Sequence, residues 1–104
     1  MPSHPLPLDQ QLVIVSGASR GLGAAIARAF LREGARVVIN YLNSEAAARE
    51  LAATAPDRAL AVQADVRDAE AVAALVAYAS EHFGLPVSTV VNNALPAFQF
   101  NGDA

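Results

Sequence analysis

Three glycines, spaced Gly17-x3-Gly21-x-Gly23, stand between the apolar run Leu12-Val13-Ile14-Val15 and a helical pattern that opens at Leu22. A buried strand, a glycine turn and a helix start, in that order, form a phosphate-binding device. The glycines let the backbone turn sharply and approach a diphosphate, and the free N–H groups of the helix start favour an anion. Glycine turns between strands and helices also arise for purely structural reasons, so the spacing alone leaves both readings open. The position of this turn, after the first strand and before an amphipathic helix, favours the phosphate.

The rest of the chain repeats the same grammar. Four short apolar runs, Leu12–Val15, Val37–Ile39, Ala59–Val62 and Thr89–Val91, alternate with three helical segments. The runs are continuous rather than alternating, as in parallel strands buried on both faces. The first helix is expected from about Leu22 to Glu33, with Leu22, Ile26 and Phe30 as its stripe and Gly34 as its stop. The second is expected to start after Ser44, to bury Ala47, Leu51 and Ala55, and to end at Pro56. The third is expected to be capped by Asp68, to bury Val72, Leu75, Val76, Ala79 and Phe83, and to stop at Gly84.

The order β-α-β-α-β-α-β, with right-handed crossovers, predicts a doubly wound parallel sheet with strands in the order 3-2-1-4. This is a Rossmann-type α/β fold, and at 104 residues an incomplete one with three helices. The expected division is a tail over 1–8 and the first part of a dinucleotide-binding domain over 9–104, cut after the fourth strand. Ligands bind where the strand order reverses, outside the C-terminal ends of the strands. The glycine turn leaves strand 1 there, and Asn92-Asn93-Ala94 leaves strand 4 there.

Composition narrows the partners. The net charge of −3, without a basic block, argues against nucleic acid. The absence of cysteine removes disulfides and thiolate metal sites, and two distant histidines, His4 and His82, make no metal site. No apolar run is long enough to span a bilayer, and the start has neither the basic region nor the apolar stretch of a signal peptide. A cytoplasmic protein without membrane contact is expected.

Three motifs together carry a resemblance: Gly17-Ala18-Ser19-Arg20-Gly21-Leu22-Gly23, Asp65-Val66 after strand 3, and Asn92-Asn93-Ala94 after strand 4. In this order and spacing the chain resembles the N-terminal part of a short-chain dehydrogenase/reductase, from about Leu8 onward. Within that family it is most similar to the 3-oxoacyl-[acyl-carrier-protein] reductase group. The resemblance implies that Gly17, Ser19, Arg20, Gly21 and Leu22 line the pyrophosphate and adenosine ribose. It implies that Asp65 accepts from the adenine amino group beside the Val66 backbone, and that Asn93 and Ala94 pass under the nicotinamide-side ribose. Asn92 would tie strand 4 to its neighbours. The plainer readings are a loop aspartate near a helix start and an asparagine turn pair.

NAD-binding folds place an acid about twenty residues beyond the glycine turn to hold both ribose hydroxyls. Here strand 2 ends in Ile39-Asn40-Tyr41. Asn40 does not repel a 2′-phosphate, and Arg20 offers it a guanidinium, so NADP(H) is the expected cofactor. The plainer reading of Arg20 is a solvated loop charge. One departure from the family stands at Leu95, where a glycine is usual. The family's catalysis uses a serine, an assisting asparagine and a tyrosine four residues before a lysine. This chain has no lysine, and Glu45 and His82 stand four residues after its two tyrosines. No catalytic residue is therefore assigned. The expected whole protein is a homo-oligomeric reductase of a small-molecule carbonyl or acyl thioester, and the alternative is a non-catalytic dinucleotide-binding or interaction module. A reading frame that continues into Tyr-x-x-x-Lys separates the two.

Overall fold

The computed structural model describes residues 7–93. Ala94, the Leu95 departure and residues 1–6 of the expected tail lie outside the described residues. A 3-10 turn at Leu8–Gln10 leads into β1 (Leu12–Ser16), followed by α1 (Gly21–Arg32), β2 (Arg36–Tyr41), α2 (Glu45–Ala52), β3 (Ala59–Gln63), α3 (Ala69–Phe83) and β4 (Thr89–Asn92). All pairings are parallel, and the sheet order is β3-β2-β1-β4. The doubly wound topology expected from the alternation is therefore the one observed.

The continuous apolar runs follow from helices on both faces. Val13, Val15, Val37, Ile39 and Tyr41 pack under α1 and α2, against Ala24, Ala27, Leu31, Ala48 and Leu51. Leu12, Ile14 and Val38 point the other way and meet Leu75 and Ala79 of α3. Right-handed crossovers require this division, because the first two step outward in one direction and the third returns past β1. Val90 pairs in register with Ile14 and is 58% exposed, so α3 does not reach the β4 side of its face. Among the described residues β4 pairs only with β1.

The first helix departs from the expected stripe. Its buried residues are Gly23, Ala24, Ala27 and Leu31, whereas Leu22 is 68% exposed. Small side chains bring the helix close to the sheet, and the bulkier Ile26 and Phe30 are left to pack on its flank. The second helix ends at Ala52 rather than at Pro56 and buries Ala48 in place of Ala47. The residue before a proline avoids the helical region, and here the chain unwinds earlier still, with the Thr54 hydroxyl donating to the Leu51 carbonyl at 2.7 Å. The third helix has the expected caps, but of its expected stripe only Leu75 and Ala79 are buried; Val76 and Phe83 pack on them half-buried, and Val72 is half-buried too, because α3 covers this face of the sheet only in part. Asp68 Oδ1 accepts from the Glu70 and Ala71 N–H groups, and Gly84 ends it with φ 69°. Arg58, from the α2–β3 connection, donates to the carbonyls of Leu31 and Ala35 and so satisfies the end of α1.

Candidate functional site

Four chain segments meet at the C-terminal edge of the sheet. The first is the glycine turn. Gly17 and Gly21 have φ of 63° and 60°, a region that residues with a Cβ enter only at a cost. These two glycines let the chain leave β1 and enter α1 within four residues. Gly23 is needed for a different reason: its α-carbon lies against the Gly17 carbonyl and the Asn93 amide, with no room for a side chain. Helix α1 thus begins pressed against the turn that precedes it. Its first N–H groups have no intrahelical acceptor, which gives this end a partial positive charge.

The second segment is the end of β4, tied to the end of β1. Ser16 is 2% exposed. Its hydroxyl lies 3.2 Å from Asn92 Oδ1 and 3.3 Å from the Val91 carbonyl, and it accepts from the Asn93 N–H at 2.9 Å. Asn93 Nδ2 donates to the Gly17 carbonyl at 3.3 Å. Asn92 therefore ties the strands together, as expected, and Asn93 shares that work.

The third and fourth segments are the ends of β2 and β3 with the loops that follow them. Together with the glycine turn they enclose a pocket of about 390 Å³. Six of the expected residues line it: Gly17, Ser19, Arg20, Asn40, Asp65 and Val66. Gly21, Leu22 and Asn93 are not in its wall. The pocket lies on the β1-β2-β3 side, while the β1–β4 junction is filled by the Ser16 network. Sequence reasoning missed Tyr41, Leu42, Asn43, Ser44, Ala64 and Arg67, all in the wall. The available signal was position, since in an open parallel sheet the residues just beyond each strand end face the ligand crevice.

Two guanidiniums stand in this wall against one carboxylate. Asp65 and Arg67 neutralise each other. Arg67 Nε and the Arg67 backbone N–H both donate to Asp65 Oδ1, at 2.9 and 3.0 Å, and a terminal guanidinium nitrogen donates to Oδ2 at 2.8 Å. These hydrogen bonds, from the side chain first and the backbone second, hold the Asp65 carboxyl down at about 2, from an ordinary 3.8. Arg20 has no carboxylate partner among the described residues. It donates instead to the Ser44 hydroxyl at 3.1 Å, across 24 residues of sequence. Ser44, expected to cap α2, does not use its side chain for that.

The Asp65 carboxylate's favourable contacts are complete above its unfolded value near 3.8 and are lost only as the pH falls through about 2. Asp65 thus stays ionised in mildly acidic solution. Arg67→Ala removes the leading cause and keeps the backbone N–H at 67, so the Asp65 side-chain carbon, followed by NMR through an acid titration, is expected to titrate above 2 and short of 3.8. A midpoint that stays near 2 would mean that Arg67 is not what holds it.

The family described as short chain dehydrogenase matches residues 11–97. Versicolorin reductase stcU of Emericella nidulans is 48% identical over 81 residues, covering 74% of this chain and 30% of its own length. A short chain dehydrogenase from Bacillus anthracis superposes with a TM-score of 0.77 at 33% identity, over 86% of this chain and 37% of that one. A 3-ketoacyl-(acyl-carrier-protein) reductase from Brucella melitensis, complexed with NADH, superposes with a TM-score of 0.72 at 35% identity, over 80% and 33%. The chain spans about a third of the length of the curated relatives it matches.

Proposed function

This chain belongs to the short-chain dehydrogenase family, and from that premise we propose that it is the dinucleotide-binding portion of an NADP(H)-dependent carbonyl reductase. Gly17, Ser19, Gly21 and Leu22 would hold the pyrophosphate at the start of α1. Asp65 and Val66 would hold adenine. Arg20 and Ser44 would take the 2′-phosphate. Asn93, together with Ala94 beyond the described residues, would approach the nicotinamide-side ribose.

The observation that carries the reading is Arg20. It is a cation without a carboxylate partner among the described residues, set in a pocket wall of a chain with a net charge of −3. The stretch Asn40-Tyr41-Leu42-Asn43-Ser44 faces it with no acid. A fork of guanidinium donors beside a hydroxyl suits a phosphate dianion, and nothing opposite repels one. The residues present also fit the rest of the group, since the Gly23 contact brings bare backbone to the pyrophosphate position. The Brucella reductase was solved with NADH, so family likeness supports a nicotinamide dinucleotide, and the phosphate rests on Arg20 and Ser44.

When bound, the dinucleotide supplies a hydride for a carbonyl carbon. The residues of this chain bind and orient it. Likeness to the Brucella enzyme makes a 3-oxoacyl thioester the substrate class to try first. Calorimetric titration of the 104-residue chain with NADPH and NADH tests the binding claim. Tighter binding of NADPH by at least about tenfold is expected, the equivalent of one charge-assisted hydrogen bond. Equal affinities would remove the phosphate from the proposal, and no binding of either would remove the dinucleotide.

A further inference from the structure

Asn40 lies at the end of β2, only 2% exposed, in the pocket wall. Its Nδ2 donates to the carbonyls of Val62 and Ala64, each at 3.2 Å. These two bonds decide which way round the amide stands, because the reverse orientation would set its oxygen against two carbonyl oxygens. Oδ1 is therefore held turned from the two carbonyls on β3 and just beyond it. Among the described residues no N–H or O–H group donates to it. Buried carbonyl acceptors nearly always have a donor, from protein, water or ligand. This orphan belongs to a residue of a pocket wall, which points to a ligand.

Its neighbour indicates which part of the ligand. Ala64, gripped by the Asn40 amide, directly precedes Asp65. Asn40 thus stands beside the adenine end of the pocket, with Arg20 and Ser44 at the ribose end. An exocyclic amine carries two N–H donors, and a single carboxylate contact uses one of them.

We propose that Asn40 Oδ1 is the second acceptor for that amine. Asn40 is then a specificity-determining residue that selects 6-aminopurine over 6-oxopurine nucleotides. The inference rests on the dinucleotide reading above. A 6-oxopurine would present an oxygen to two acceptors, Asn40 Oδ1 and the Asp65 carboxylate, and the β3 clamp prevents Asn40 from turning its amide round to help. Sites built to hydrogen-bond a donor reject analogues that lack it. The same clamp means that an acid at position 40 is no route to NAD preference. Asn40→Asp would turn an oxygen onto the carbonyls of Val62 and Ala64.

The test titrates the 104-residue chain and its Asn40→Ala variant with NADPH and with the dinucleotide carrying hypoxanthine in place of adenine. The native chain is expected to prefer adenine by at least about a hundredfold. In Asn40→Ala that preference should narrow about tenfold, while Asp65 retains the remainder. If both affinities fall in equal proportion, Asn40 is a clamp only and the proposal is overturned. If the variant does not fold, NMR on the native chain decides. On adding NADPH the Asn40 side-chain N–H protons should stay protected from exchange, while its side-chain carbonyl carbon shifts. Loss of that protection, or an unmoved carbon, overturns the proposal. A native chain that binds dinucleotides without preferring adenine overturns this inference and the Asp65 contact to the amine, and leaves the dinucleotide reading standing. One that binds none overturns the dinucleotide reading and this inference with it.

Discussion

Gly23→Ala is expected to lower the melting temperature by roughly 15 °C, which corresponds to about 3 kcal/mol for a chain of this size. An added Cβ would stand 2.1 Å from the Gly17 carbonyl oxygen, 2.8 Å from the Gly17 carbonyl carbon and 2.7 Å from Asn93 Nδ2. The main obstacle is backbone in the glycine turn, which moves only if β1 or α1 moves with it. Alanine favours a helix over glycine by about 1 kcal/mol, and that gain works against the loss. Overpacking costs about 1–3 kcal/mol even where side chains can adjust, and more where backbone must. The clash therefore wins. Gly21→Ala is the control: among the described residues no atom beyond its chain neighbours and its own helix lies within 4 Å of its Cβ position, and the cost is the positive φ alone, about 1–2 kcal/mol. Thermal melts of the two variants should fall in that order. A Gly23→Ala chain more stable than Gly21→Ala would show that α1 does not lie against the turn.

The second large effect concerns ligand choice. Arg20→Ala should weaken NADPH binding by roughly tenfold to a hundredfold and leave NADH nearly unchanged. A hydrogen bond from a charged group contributes about 1.5–3 kcal/mol, and 1.4 kcal/mol is a factor of ten. Arg20 is exposed, so the contact should weaken as salt is raised. Arg20→Lys should restore only part of the loss, because a point charge lacks the planar fork that meets a phosphate and the Ser44 hydroxyl together. Titration of the parent and both variants with each cofactor measures this. An unchanged ratio in Arg20→Ala would return Arg20 to the status of a solvated loop charge.

Much of the fold was legible in the chain because its signals are local. A strand, a glycine turn and a helix start lie within about twenty consecutive residues of this sequence, and each is set by short-range sterics and periodicity. Alternation then limits the topology, since parallel strands need crossovers and crossovers have one hand. The Asp68 cap and the Gly84 stop were readable for the same reason. The stripe of α1 was not. Size suggested Leu22, Ile26 and Phe30, whereas the sheet accepts the small side chains of Gly23, Ala24 and Ala27 and turns Leu22 outward.

At the site, the sequence by itself determined which residue types stand at the strand ends: the glycines of the turn, Arg20, Asn40, Asp65 and Asn93. Tertiary structure alone decided what each side chain does there. Ser16 meets Asn92 across 76 residues, Arg20 meets Ser44 across 24, and the Asn40 amide reaches Val62 and Ala64 across 22 and 24. Such pairings depend on register and strand order, which set neighbours far apart in sequence within 3 Å or so of one another. No local preference encodes them. A short side chain at the end of β2 reads the same in sequence whether it faces a ligand or the next strand, and only the packed sheet turned the Asn40 amide donors onto β3 in a residue of the pocket wall.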